Sequence, residues 1–127
     1  MSFSDSARNE SSNTIWNRIS GLGDIEAILQ NSNDKPQLIY KHSHRCSICF
    51  LAKEELEKVA EELNSIADLY VVNVINQREV SNAISSKLNV RHESPQVIIL
   101  KNKKVVWKGS HWNVKGKEIL KLICNST

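Results

Sequence analysis

The sequence of 127 residues lacks the features that mark several large classes of protein. It contains no run of about 18 apolar residues, so no membrane-spanning helix is predicted. Its formal net charge is only +3, and without a basic block or an RNA-type aromatic motif we expect no nucleic-acid partner. The N-terminus has no apolar stretch behind a positive patch, which excludes a typical secretory signal. The remaining composition, 40% hydrophobic and 24% charged, is that of a globular protein.

Cysteine is scarce, and its placement is informative. Of the three cysteines, Cys46 and Cys49 form the only Cys-x-x-Cys pair, within KHSHRCSICFLAKEEL, and Cys124 stands apart near the C-terminus. Because the sequence shows no export signal, we expect a cytoplasmic, reducing location. Cysteine pairs there serve redox or metal chemistry more often than structural disulfides.

The chain is predicted to form a flexible tail followed by one domain. Residues 1–13 are rich in Ser and Asn, a composition typical of flexible segments. Residues 14–127 contain no internal repeat and are enough for a single core. Their pattern predicts the order β-α-β-α-β-α-β-β-α. It includes one helix over 47–63 with Leu51 inward, a hairpin of strands 97–100 and 105–107 with positive φ near Asn102, and a last helix over 114–123.

This order favours an α/β fold built on a mixed sheet. Helices between the early strands imply parallel pairing through right-handed crossovers, whereas the final hairpin must be antiparallel. Such a sheet carries helices on both faces. Cys46 then lies where an interior strand around Leu38–Tyr40 ends and a helix begins.

A cysteine at that position can act as a nucleophile. The N-terminus of a helix presents unpaired backbone N–H groups and a partial positive charge, which stabilise a thiolate. His44 and Arg45 precede Cys46 directly and can add to this effect. Cys49 lies one helical turn further and can attack a mixed disulfide formed at Cys46.

Two other interpretations of the cysteine pair stay open at this point. The thiols can be small core residues without chemistry, or they can bind a metal together with His42 and His44. A structural zinc site needs four ligands, which usually come from two pairs that are separated in the sequence. Here all the candidates are crowded at one strand end, so the pattern favours thiol redox chemistry.

The stretch HESPQVIIL adds a second feature to the redox interpretation. Pro95 stands directly before a strand, where a proline is tolerated and a cis peptide bond would turn the chain sharply. We predict a cis bond between Ser94 and Pro95 and a loop that borders Cys46. Such a loop can present a backbone edge to an extended substrate beside the reactive sulfur.

The element order, the cysteine position and this proline together resemble the thioredoxin fold. The stretches KHSHRCSIC and HESPQVIILKNKKVVWKGSHW, with WNRI near the start, more narrowly resemble the YtxJ-like family, the monothiol bacilliredoxins. The resemblance covers residues 14–123. It implies a cytoplasmic thiol–disulfide oxidoreductase that removes bacillithiol, a low-molecular-weight thiol, from proteins carrying it as a mixed disulfide. Bacillithiol would be a co-substrate, and no metal or prosthetic group is implied.

The family motif TCPIS falls on residues 45–49. The resemblance implies that Cys46 is the nucleophile and that Ser94, Pro95, His44 and Arg45 form the substrate-binding set. Cys49 stands where the motif has serine and Ser47 where it has proline. Because of Cys49, both a monothiol and a dithiol mechanism stay open. Two alternative functions also remain: a general dithiol protein disulfide reductase, and a metal-binding protein that uses Cys46, Cys49 and a histidine. Tyr40 occupies the position of the buried aspartate of thioredoxin.

Overall fold

The computed structural model of the protein describes residues 15–126, and the tail predicted for residues 1–13 lies outside this range. The described residues form five strands and five α-helices, with a 3₁₀ turn before the last helix. The strands are β1 (Trp16–Arg18), β2 (Gln37–His42), β3 (Asp68–Asn73), β4 (Gln96–Lys101) and β5 (Lys104–Ser110). The helices are α1 (Leu22–Asn31), α2 (Ser47–Glu57), α3 (Ala60–Ile66), α4 (Arg78–Leu88) and α5 (Gly116–Ser126), and the 3₁₀ turn is His111–Asn113.

The strands form one mixed sheet in the order β1-β3-β2-β4-β5. β2 and β1 both run parallel to β3, as strands joined by helices do. β4 is antiparallel to β2 and to β5. β2 lies at the centre, and its residues 37–41 are all buried, because this strand is covered on both faces. The predicted mixed sheet with an antiparallel C-terminal hairpin is confirmed.

A hydrophobic cluster lies on each face of the sheet. In β2, Leu38 and Tyr40 belong to the cluster under α2, α3 and α5, whereas Ile39 belongs to the cluster under α1 and α4. This division follows from the two-residue period of a strand. The predicted helices on both faces are confirmed. Neighbouring residues of β2 therefore face different surroundings, and Tyr40 lies beneath the first turn of α2.

The helix predicted over residues 47–63 is interrupted, and the prediction of one continuous helix is wrong. In a continuous helix the N–H of Val59 would bond to the carbonyl of Glu55; here it bonds to the carbonyl of Leu56 at 3.2 Å. The Glu55 carbonyl instead lies against Gly116, where a Cβ atom would overlap it. The close approach of α5 thus ends α2. Leu51, expected to face inward, is 46% exposed.

The C-terminal hairpin has longer strands than the pattern predicted. Its turn consists of Asn102 and Lys103, with φ of 53° and 65°. Positive φ at both positions suits the twist of a two-residue hairpin, and the expectation for Asn102 is confirmed. The last helix begins at Gly116 rather than Val114 because Val114 is extended and buries its side chain. Within residues 15–126, no helix is long and apolar enough to cross a membrane.

Candidate active site

The junction between β2 and α2 carries the first cysteine. β2 ends at His42, and Cys46 occupies the residue before the first turn of α2 in an extended conformation, with φ −119° and ψ 121°. Its own N–H donates to the carbonyl of Ser43 at 3.3 Å, which closes the connecting loop. The sulfur of Cys46 is therefore held at the N-terminus of a helix while its side chain remains partly exposed.

The surroundings of Cys46 favour its thiolate form. Its pKa is lowered from the ordinary value of 9.0, first because the backbone N–H of Cys49 donates to its sulfur and next because the Cys49 thiol does so. The N–H of Ile48 lowers this pKa further, whereas partial burial acts in the opposite direction. Unpaired N–H groups of the first helical turn thus stabilise the anion. Cys46 has the properties of an accessible nucleophile.

Cys49 is placed in contrasting surroundings although it lies only three residues away. Its side chain is fully buried, and burial raises the pKa of its thiol. The hydroxyl of Ser94 lies 3.4 Å from its sulfur, and this contact together with the N–H of Ser43 partly opposes the shift. Burial therefore favours the protonated thiol of Cys49, which can donate to the Cys46 thiolate.

The loop before β4 meets the cysteine pair from the other side. The peptide bond between Ser94 and Pro95 is cis, as predicted. The carbonyl of Pro95 accepts a hydrogen bond from the N–H of His111 at 3.0 Å, so the loop is also joined to the 3₁₀ turn. Through Ser94 the structure brings this loop into contact with the buried thiol of Cys49.

His44 and Arg45 lie exposed in the loop that leads to Cys46. The Nδ1 atom of His44 is 3.3 Å from the side-chain amide nitrogen of Asn73 at the end of β3. The backbone N–H of Arg45 donates to the Ser43 hydroxyl at 3.3 Å, while its guanidinium is directed to solvent. Both residues therefore lie exposed directly before Cys46.

Tyr40 and His42 form a polar pair beneath α2 that sequence reasoning missed. The Tyr40 hydroxyl donates to the carbonyl of Cys49 at 3.0 Å and lies 2.8 Å from Nδ1 of His42. Since the hydroxyl proton points to Cys49, Nδ1 of His42 carries its own proton and donates to Tyr40. Burial is the main cause that lowers the pKa of His42 and raises that of Tyr40. Tyr40 and His42 are two residues apart in β2, which places both side chains on the same face of the strand. This spacing is the sequence signal from which the pair could have been predicted.

The metal alternative lacks a ligand set in the described part of the chain. Within residues 15–126 no three His, Cys, Asp or Glu side chains converge in a way that could hold a metal ion. His42 is bonded to Tyr40, and His44 contacts Asn73. The predicted ligands therefore have other partners.

Exposed apolar side chains of α2 and the 3₁₀ turn share one groove. Leu51 on α2 and Trp112 in the 3₁₀ turn are 46% and 65% exposed. Together with Ile48 they line a groove of about 370 Å³ between these elements. Helical periodicity cannot identify such a surface, because exposed apolar residues share the spacing of core residues.

Comparisons with known proteins agree with this geometry. Residues 17–119 match the family described as monothiol bacilliredoxin BrxC. A solved thioredoxin-fold protein assigned as an oxidoreductase superposes with a TM-score of 0.74 and 26% identity, covering 86% of this chain and 94% of the other. Thioredoxin from Trypanosoma brucei brucei has a TM-score of 0.68 and 19% identity, covering 94% and 96%. Spinach chloroplast thioredoxin f has a TM-score of 0.64 and 23% identity, covering 86% and 84%.

These likenesses settle the fold and the class of reaction. The family match extends over most of the chain and includes the cysteine pair and the loop with Pro95. The solved structures share the thioredoxin fold. The chain belongs to the monothiol bacilliredoxin BrxC family and is a thiol–disulfide oxidoreductase.

Proposed function

We propose that the protein removes bacillithiol from protein mixed disulfides, with Cys46 as the nucleophile. The observation that carries the proposal is the partly exposed sulfur of Cys46 at the N-terminus of α2, where backbone N–H groups lower its pKa. A thiolate, not a thiol, attacks a disulfide. Membership in the bacilliredoxin family supports bacillithiol as the group transferred.

In the first step the Cys46 thiolate attacks the bacillithiol sulfur of the mixed disulfide. The bond between that sulfur and the substrate cysteine breaks, the substrate leaves as a thiolate, and Cys46 retains bacillithiol in a new disulfide. The substrate sulfur leaves with the electron pair of the broken bond, Cys46 supplies the pair of the new bond, and the disulfide thereby passes from the substrate to the enzyme. His44 and Arg45, exposed beside Cys46, are proposed to bind the substrate together with Ser94 and Pro95.

The second step removes bacillithiol from Cys46. Either a second bacillithiol thiolate attacks the bacillithiol sulfur of the adduct, so that oxidised bacillithiol forms and Cys46 leaves as a thiolate, or Cys49 attacks the Cys46 sulfur and releases bacillithiol as a thiol. The Cys49 route leaves a Cys46–Cys49 disulfide, which an external thiol reduces before the next cycle. The second route is supported by the hydrogen bond that the Cys49 thiol makes to Cys46, because two groups already in contact react with a high effective concentration. Neither route requires a metal or prosthetic group, and both suit a reducing cytoplasm.

The proposal is tested by exposing the reduced protein to oxidised bacillithiol and to oxidised glutathione in parallel and following adducts by mass spectrometry. We expect Cys46 to acquire bacillithiol faster than glutathione, and Cys46→Ser to acquire neither. Equal rates with the two disulfides would contradict bacillithiol specificity. Modification of Cys49 or Cys124 in place of Cys46 would contradict the assigned nucleophile.

A second candidate is a general dithiol reductase of protein disulfides. The presence of Cys49, where the family motif has serine, favours it. Such an enzyme would reduce disulfides within proteins at a rate that bacillithiol does not change. If the purified protein reduces a protein disulfide more rapidly than it removes bacillithiol from a modified protein, this second function is the correct one.

A further inference from the structure

Lys41 is a fully buried cation on the face of the sheet opposite the cysteines. It follows Tyr40 in β2, so its side chain points toward α4, and its exposed fraction is 0%. Its ammonium group donates three hydrogen bonds: to the carbonyl of Ser81 at 3.0 Å, to the hydroxyl of Ser85 at 2.8 Å and to Nδ1 of His92 at 3.2 Å.

This arrangement gives each N–H of the ammonium group an acceptor, but it provides no negative charge to balance the positive charge of Lys41. The three acceptors are neutral, and burial lowers the pKa of Lys41 to about 8. A buried charge without a counter-ion is costly, and an apolar residue of similar volume usually replaces it at no loss of stability. Stability therefore does not explain the amine at this position, and a role in the reaction is the alternative.

The contact between Lys41 and His92 joins β2 to the loop before β4, which also touches Cys49. A protonated lysine has no acceptor atom, so Nδ1 of His92 must be unprotonated and its ring proton lies on Nε2. His92 precedes Ser94 by two residues, and the hydroxyl of Ser94 contacts the sulfur of Cys49. The backbone of residues 92–94 thus links the contact between Lys41 and His92 to the contact between Ser94 and Cys49.

We infer that Lys41 is a positioning residue which, through His92, holds the loop that places Ser94 against Cys49 and thereby sets the rate at which Cys49 resolves a disulfide at Cys46. The inference rests on the dithiol route of the proposed function. In that step the Cys49 sulfur bonds to the Cys46 sulfur, the bond from Cys46 to the bound thiol breaks, and the thiol leaves with the electron pair. The proton lost by Cys49 is taken up by solvent or by the departing thiolate.

The experiment uses one equivalent of a chromogenic aromatic disulfide and rapid mixing, with Cys124→Ser as the background. Attack by Cys46 releases one coloured thiolate, and resolution by Cys49 releases a second, so the two steps appear as separate phases. We expect Lys41→Met to leave the first phase within about twofold and to slow the second about tenfold, the size of effect expected for a lost charge-assisted hydrogen bond.

Variants of His92 distinguish positioning from a general loss of packing. His92→Phe has no acceptor for Lys41 and should slow the second phase as Lys41→Met does, whereas His92→Gln offers an amide oxygen and should restore it. The double variant Lys41→Met/His92→Phe should be no slower than either single variant. Since His92 is exposed, its variants stay informative if Lys41→Met does not fold.

Three results would overturn the inference: unchanged second phases in Lys41→Met and His92→Phe, equal slowing of both phases, or additive effects in the double variant. A wild-type protein that releases only one thiolate would also overturn it, while leaving a monothiol bacilliredoxin function intact. Conversely, slowed second phases in Lys41→Met and His92→Phe, with no preference of the wild type for bacillithiol over glutathione, would contradict the proposed substrate and leave the role of Lys41 standing.

Discussion

Removal of the Tyr40 hydroxyl tests whether the polar pair beneath α2 stabilises the active-site helix. The side chain is 2% exposed, and its hydroxyl bonds to the Cys49 carbonyl and to His42. Tyr40→Phe keeps the ring, which packs in the core under α2, and deletes only the oxygen. The change therefore isolates the two hydrogen bonds.

The expected loss of stability follows from these contacts. A buried hydrogen bond contributes about 1 kcal/mol net, and a buried partner left without its donor costs about 1–3 kcal/mol. His42 is only half-buried and can be solvated again, whereas the Cys49 carbonyl lies under the helix. We therefore expect Tyr40→Phe to lower the free energy of unfolding by about 2 kcal/mol.

Urea unfolding followed by circular dichroism measures this difference. Tyr70→Phe is the matched control, because Tyr70 is a half-buried tyrosine on the adjacent strand β3 and should lose less than about 1 kcal/mol. If Tyr40→Phe unfolds within about 0.5 kcal/mol of wild type, or no more easily than Tyr70→Phe, the Tyr40 hydrogen bonds do not hold the helix.

Further predictions concern the thiols and the contact between α2 and α5. Iodoacetamide should alkylate Cys46 faster than Cys49, and the rate plotted against pH should reach half its maximum below pH 9.0, since the Cys46 pKa is lowered; faster alkylation of Cys49 near neutrality would refute this. Cys49→Ser should perform the first transfer and then retain the adduct on Cys46, which mass spectrometry without added reductant will show; adducts of equal lifetime in wild type would make Cys49 a packing residue. Gly116→Ala should lower the free energy of unfolding by about 2 kcal/mol because the new Cβ meets the backbone of Glu55. Gly23→Ala has open space around its Cβ and should raise the free energy of unfolding by up to about 1 kcal/mol. If calorimetry gives both changes the same sign, the close approach of α5 to α2 is contradicted.

Local sequence patterns were enough to predict the sheet and the position of Cys46 at the start of α2. The run of buried residues in β2 specifies an interior strand, and a cysteine just beyond it must lie at the start of the following helix. Asn102 marks the hairpin turn because asparagine tolerates positive φ. These features depend on neighbours in the chain, so the sequence carries them directly.

Features that depend on distant contacts were not predictable in the same way. The end of α2 is fixed by Gly116, about sixty residues away. The helical spacing of apolar residues continues unchanged through the break, so the local sequence does not indicate where α2 ends. The exposure of Leu51 also depends on distant residues, since the 3₁₀ turn lies across a groove from it and leaves it 46% exposed. Lys41 in an apolar run gives no indication of its acceptors, which lie on α4 and in the loop before β4.

In the proposed dithiol route, the opposite environments of the two thiols impose an order on the reaction. Cys46 is partly exposed and has a lowered pKa, so it is the sulfur that meets an incoming disulfide first. Cys49 is buried and its pKa is raised, which protects it from solution oxidants while leaving it in contact with Cys46. Once Cys46 is bound in a disulfide, its negative charge is gone, and the charge that disfavoured ionisation of Cys49 is gone with it. Deprotonation of Cys49 then becomes easier at the moment when its attack on Cys46 is productive, so formation of the adduct itself prepares the second thiol.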